Sequence, residues 1–133
     1  MLNYFFASIL SGVVFGFLDG VINANSYAQK LFEVYKPIAK TSINVPLGLV
    51  IDLAYGFVMA GLFLLFHKSL PGQTNIVKGL SFGLFIWFFR VVMYTSSQFM
   101  MFEVPAKTLL YTLGAGLLEM LAIGFLIGLT LKV

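Results

Sequence analysis

The sequence predicts an all-α integral membrane protein with four transmembrane helices, built as two parallel-repeated helical hairpins. Composition is the first reason: of 133 residues, 60% are hydrophobic and 10% charged, and the mean hydropathy is +1.00. Soluble domains contain about 45–50% apolar and about 25% charged residues. The length suits a single domain covering residues 1–133.

Four long apolar stretches are the second reason. A bilayer core is crossed by about 20 consecutive apolar residues in a helix, and the stretches that qualify are 2–22, 45–66, 79–102 and 105–131. The first is expected to be retained, because a signal peptide has a basic start and a shorter apolar run, without an acid such as Asp19. Four spans place both termini on the same side of the membrane, and lysine counts leave the side undetermined.

An internal match between the halves is the third reason. Gly12–Phe17 resembles Gly79–Leu84, and the triplets Phe-Glu-Val and Ala-Lys-Thr follow in order in both halves. A Leu-Ala-x-Gly-Phe match between the second and fourth spans completes the series. The prediction is repeat one over 1–66 and repeat two over 67–133, each a hairpin. Hairpins that enter from the same side are parallel repeats.

The connection 23–44 has two interpretations. Its apolar residues recur at helical spacing, with lysines on another side. This pattern is typical of a short helix lying in the membrane interface. It equally fits an ordinary amphipathic linker packed on the bundle.

Four ionisable residues, one from each span, lie inside the apolar stretches: Asp19, Asp52, Arg90 and Glu119. Charges inside a bilayer normally face the bundle interior and pair. Counting about 1.5 Å per residue puts Arg90 and Glu119 at one level near the midplane, as the best pair. Asp52 is the second partner, and Asp19 is expected close to the interface.

The third span also predicts a polar and aromatic face near Arg90. Its members follow at steps of three or four residues, and they are Trp87, Tyr94, Ser97 and Gln98. One interpretation is a paired polar core that fixes helix register. The other is a site where Arg90 binds an anion, a proton is carried, or a polar headgroup is held.

Several classes of chemistry lack support. Cysteine is absent, the single His67 lies at a span end, and no catalytic motif occurs, so we predict no enzyme, cofactor or metal site. The eight basic residues are scattered, which disfavours nucleic acid as a partner. The expected partners are the lipid bilayer and other membrane subunits or further copies of the chain.

We expect a structural or accessory subunit of a membrane complex. The alternative is a small oligomeric transporter or channel that uses the Arg/carboxylate site.

Overall fold

The structure is a computed structural model that describes residues 2–38 and 44–131. These residues are predominantly helical and contain no strands. Its helices are α1 (Leu2–Ala24), α2 (Ser26–Leu31), α3 (Val45–Phe66), α4 (Asn75–Trp87), α5 (Met93–Met101) and α6 (Ala106–Thr130). A π-helical turn, Phe88–Val92, joins α4 and α5 into one continuous third span. Four helices are therefore long and apolar enough to cross a membrane, which confirms the predicted multi-pass helical protein.

Side-chain caps mark where several of these helices begin. Asn44 accepts a hydrogen bond from the Leu47 amide at the start of α3, and Thr74 accepts one from the Val77 amide at the start of α4. Such caps satisfy amide groups that a helix leaves without partners in its first turn. Gly72, with φ of 126°, forms the turn before α4 in a conformation that favours glycine.

The helices pack as two hairpins, α1 with α3 and α4 with α6, and α1 also packs on α6. Glycines form both seams. A Cβ on Gly56 would meet the Ser8 carbonyl oxygen, and one on Gly124 would meet the Gly79 carbonyl oxygen. Small residues allow this close approach of the two backbones. In lipid the hydrophobic effect does not drive helices together, so their association depends on such close packing. These glycine stripes therefore face other helices of the same chain.

An apolar core fills the half of the bundle that contains the start of α1 and the end of α6. Its fully or almost fully buried members are Ala7, Met59, Ala60, Phe63, Phe82, Met120, Ile123, Ile127 and Leu131. Phe63 and Phe82 meet edge to face with ring centroids 5.7 Å apart, which links α3 to α4. Asp19, Arg90 and Glu119 lie outside this cluster.

The long connection folds as α2 followed by a 3-10 helix, Phe32–Ile38, and rests on the start of α6. Thr108 Oγ1 donates a 2.6 Å hydrogen bond to the Leu31 carbonyl, and the Tyr111 hydroxyl donates one to the Ile22 carbonyl. The Phe32 and Tyr111 rings lie 5.9 Å apart. The Ala-Lys-Thr triplet of the first half falls in 39–43, outside the described residues.

Candidate functional site

A polar cavity of about 110 Å³ lies between α1, α6 and the third span, in the half of the bundle away from the apolar core. Its lining residues are Asp19, Asn23, Phe32, Arg90, Val91, Thr112, Ala115, Gly116 and Glu119. Three of the four predicted intramembrane charges therefore meet at one site. Asp19 lines the same cavity as the predicted pair Arg90 and Glu119.

The π-helical turn brings Arg90 to the cavity. Such wider turns are rare inside α-helices and are frequent at functional sites. Next to Arg90, the Val91 side chain packs on Gly116, where an added Cβ would lie 2.7 Å from Val91 Cγ2. The missing side chain at Gly116 thus lets α6 approach the π-helical turn, and it also leaves space in the cavity wall.

Arg90 is held by aromatic rings. The guanidinium carbon lies 5.3 Å from the centroid of Phe15 and 5.0 Å from that of Tyr55. These two rings are stacked on each other, 5.0 Å apart and inclined by 4°. Within the described residues, no lysine, arginine or histidine nitrogen lies within 4.0 Å of an acidic oxygen. Arg90 and Glu119 therefore share the cavity without forming a direct ion pair.

The carboxyl groups form the opposite wall. Glu119 is 3% exposed, and its carboxyl group is within hydrogen-bonding reach of the Asp19 carboxyl group. Asn23 Nδ2 donates a 2.8 Å hydrogen bond to Asp19 Oδ1 from the next turn of α1. A hydrogen bond between two carboxyl groups requires a proton on one of them. The arrangement can therefore hold a proton beside a fixed positive charge.

Asp52 reaches the cluster from α3 over Gly16. A Cβ at Gly16 would lie 2.7 Å from Asp52 Oδ2, so the carboxylate occupies the space that this glycine leaves open. Asp52 is not among the residues that line the cavity. It is nonetheless close enough to interact electrostatically with Asp19 and Glu119.

The four polar and aromatic residues predicted near Arg90 are not among those that line the cavity. Trp87 Nε1 donates a 2.9 Å hydrogen bond to the Leu113 carbonyl, and Ser97 bonds within its own helix. Tyr94 and Gln98 bond to each other in a separate groove of about 350 Å³ beside Tyr35. There burial, and then the neighbouring Tyr94, raise the pKa of the Tyr35 hydroxyl.

The sequence did not predict Asn23, Phe32 or the aromatic pair beside Arg90 as members of the site. Asn23 carries a readable signal, because it follows Asp19 by one helical turn on the same face. Phe15 and Tyr55 carry no such signal, because the sequence contains many aromatic residues and nothing distinguishes these two. Among the described residues, no three His, Cys, Asp or Glu side chains are grouped to hold a metal ion.

Residues 7–133 match a protein family described as a family of unknown function, DUF6789. The chain belongs to this family. The DUF6789 region contains most of α1 and the other three spans, so every residue of the cavity lies inside it. No curated protein and no solved structure matches the chain.

Proposed function

We propose that this protein is a small membrane transporter or channel that carries protons through the Asp19–Glu119 pair beside Arg90. One observation carries the proposal. The Glu119 carboxyl group is buried in the membrane-spanning region, yet it faces a polar cavity next to a second carboxyl group. Ionisable residues inside spans are costly and mark proton or ion pathways in many transporters.

The geometry favours this over a purely structural pairing. A polar cluster that only fixed helix register would neutralise its charges by direct contact. Here Arg90 rests on aromatic rings, more than 4.0 Å from any acidic oxygen of the described residues. Two ionised carboxylates next to each other also carry more negative charge than the single positive charge of Arg90 can balance. A proton on one of them removes the excess negative charge.

The cavity approaches the membrane surface at the connection between α1 and α3. Asn23, Thr112 and Phe32 line it on this side, and Phe32 belongs to the connection itself. The apolar core lies on the other side. Ser8 and Ser11 are buried in α1 on that side, and their hydroxyl groups have no hydrogen-bond partner. We place the route of protons toward the termini past these hydroxyls.

Reconstitution in liposomes with a pH-sensitive dye inside tests the proposal. Under an imposed inward proton gradient, the wild type should acidify the vesicles, and E119Q should lose at least about tenfold of that flux, the effect of removing an essential proton carrier. E103Q is the matched control, because Glu103 is exposed between the third and fourth spans. Equal flux in E119Q and E103Q would refute the proposal.

The second candidate is the accessory subunit of a larger membrane complex, and three glycines favour it. Gly20, Gly48 and Gly114 lie in the spans, and a Cβ on any of them would meet nothing within 4 Å. Such small residues on outer faces suit close approach by another helix. Extraction in mild detergent tests this candidate. Stoichiometric larger partners would support it, whereas a particle of this chain alone would leave the transporter proposal.

We also propose that the two hairpins are internal repeats. Gly56 packs on Ser8 and Gly12, and Gly124 packs in the same way on Gly79 and Gly83. This packing aligns Gly12 with Gly83, whereas the sequence match aligns Gly12 with Gly79. The two alignments differ by about one helical turn. Asp19 and Arg90 then occupy equivalent positions, each seven residues after its glycine. The repeats would thus contribute opposite charges to one cavity.

The connection is a further part of the proposal. Tyr27 and Ile38 are 62% and 82% exposed on the bundle surface, so this segment presents apolar side chains at the end of the spans. We assign these side chains to the membrane interface, where such helices bury one face among lipid headgroups and acyl chains.

A further inference from the structure

We propose that the cavity binds a small monovalent oxyanion of the carboxylate class on Arg90, and that the anion enters together with a proton on the Asp19–Glu119 pair. This rests on the proposed function and names its co-transported solute. The observation behind it is the separation of the cavity's charges. Arg90 and the acids line one cavity without direct contact.

Arg90 suits a planar oxyanion. Its guanidinium offers a rigid fork of donors that matches a carboxylate with two parallel hydrogen bonds. The rings of Phe15 and Tyr55 contact the guanidinium and limit where it can move. Arg90 is also the only arginine of the chain, so no second residue can supply this geometry.

The cavity limits the size of the anion. Its volume is about 110 Å³, and a water molecule takes up about 30 Å³ in the liquid. An oxyanion of three or four heavy atoms fits, with room for one or two waters. Gly116 borders this space, and a side chain there would push on Val91 and narrow the cavity.

Charge balance requires the proton. The groups that face the cavity or act on it are Asp19 from α1, Asp52 from α3, Arg90 from the π-helical turn and Glu119 from α6. The connection contributes the uncharged Phe32. An anion beside two ionised carboxylates would be repelled strongly at low dielectric. A proton on the Asp19–Glu119 pair removes one negative charge from the cavity and so lowers this repulsion.

Calorimetric titration of the purified full-length protein with sodium formate tests this inference. Two buffers of different ionisation enthalpy at each pH report how many protons are taken up with the ligand. We expect little proton uptake at neutral pH, where the pair already holds its proton, and uptake approaching one proton per formate in alkaline buffer, where the Kd should rise about tenfold per pH unit. Trp87, the only tryptophan, lies within one turn of Arg90 and reports occupancy by fluorescence.

Variants separate the outcomes. R90Q should abolish formate binding, R90K should weaken it about tenfold or more because the fork is lost, and K107Q is the control outside the cavity. If R90Q fails to fold, R90K and G116A carry the test, since G116A should reduce binding by narrowing the cavity. Binding of methylammonium in place of formate would overturn the inference. Proton flux without formate binding would also overturn it and would leave the proposed function standing.

Discussion

The Asp19 and Glu119 carboxyl groups meet across α1 and α6 within hydrogen-bonding reach, although the two residues come from opposite halves of the chain. Asn23 fixes the outer oxygen of Asp19 with a 2.8 Å hydrogen bond. Glu119 is buried and depends on Asp19 for a polar partner. The contribution of Asp19 to folding can therefore be measured separately from its contribution to proton transfer.

Replacing Asp19 by asparagine should preserve folding, because asparagine has the same shape and can donate a hydrogen bond to Glu119. The free energy of unfolding should change by less than about 1 kcal/mol, whereas D19A should lose about 1–3 kcal/mol by leaving Glu119 without a partner. Proton flux should fall in both variants. Thermal unfolding in detergent and liposome flux measure the two effects, and normal flux in D19N would contradict the role of the pair.

The glycine seam predicts a contrast between two positions of α6. G124A should destabilise the bundle by about 1–3 kcal/mol, since the new methyl group would overlap the Gly79 carbonyl oxygen. G114A should be neutral or stabilise by up to about 1 kcal/mol, because nothing lies within 4 Å and alanine favours helix. Unfolding in increasing denaturing detergent compares them. Similar stabilities would argue against the packing of α4 on α6.

Thr108 should control how firmly the connection is attached. Its hydroxyl donates to the Leu31 carbonyl over 2.6 Å, whereas the Thr130 hydroxyl bonds within its own helix to Leu126. T108V removes about 1 kcal/mol of attachment, so trypsin cleavage after Lys30 should accelerate roughly fivefold. T130V is the matched control. Equal cleavage rates in the two variants would mean that this hydrogen bond does not hold the connection.

Access to the cavity can be tested on single cysteines, because the natural chain has none. T112C should react with a membrane-impermeant thiol reagent, since Thr112 lines the cavity on the side of the connection. I127C should stay unmodified, because Ile127 is 0% exposed in the apolar core. Labelling of oriented vesicles from each side measures both rates. Comparable labelling of the two cysteines would refute access from one end.

The existence of the four spans could be predicted, because long apolar stretches leave few other structures in a chain of this length. That Arg90 and Glu119 share a level was also expected, and they line one cavity. The sequence did not determine which face of each helix points into the bundle. Helices that are apolar all round give little rotational signal.

The π-helical turn explains the largest difference between expectation and structure. Regular helical spacing places Tyr94 and Ser97 on the same face as Arg90. The wider turn at Phe88–Val92 changes the rotation of the residues that follow it. Tyr94 then lies in the separate groove beside Tyr35, and Ser97 bonds within its own helix. No residue pattern in this apolar stretch predicts such a turn.

Infrared spectroscopy of the reconstituted protein tests the central claim most directly, because a protonated carboxyl group absorbs apart from ionised carboxylates. We expect such a band at neutral pH in the wild type, lost in E119Q and unchanged in E103Q. We also expect the band to shift in D19N, where the hydrogen-bond partner of Glu119 changes. A wild-type spectrum without this band, or a band that persists in E119Q, would contradict a proton shared by Asp19 and Glu119.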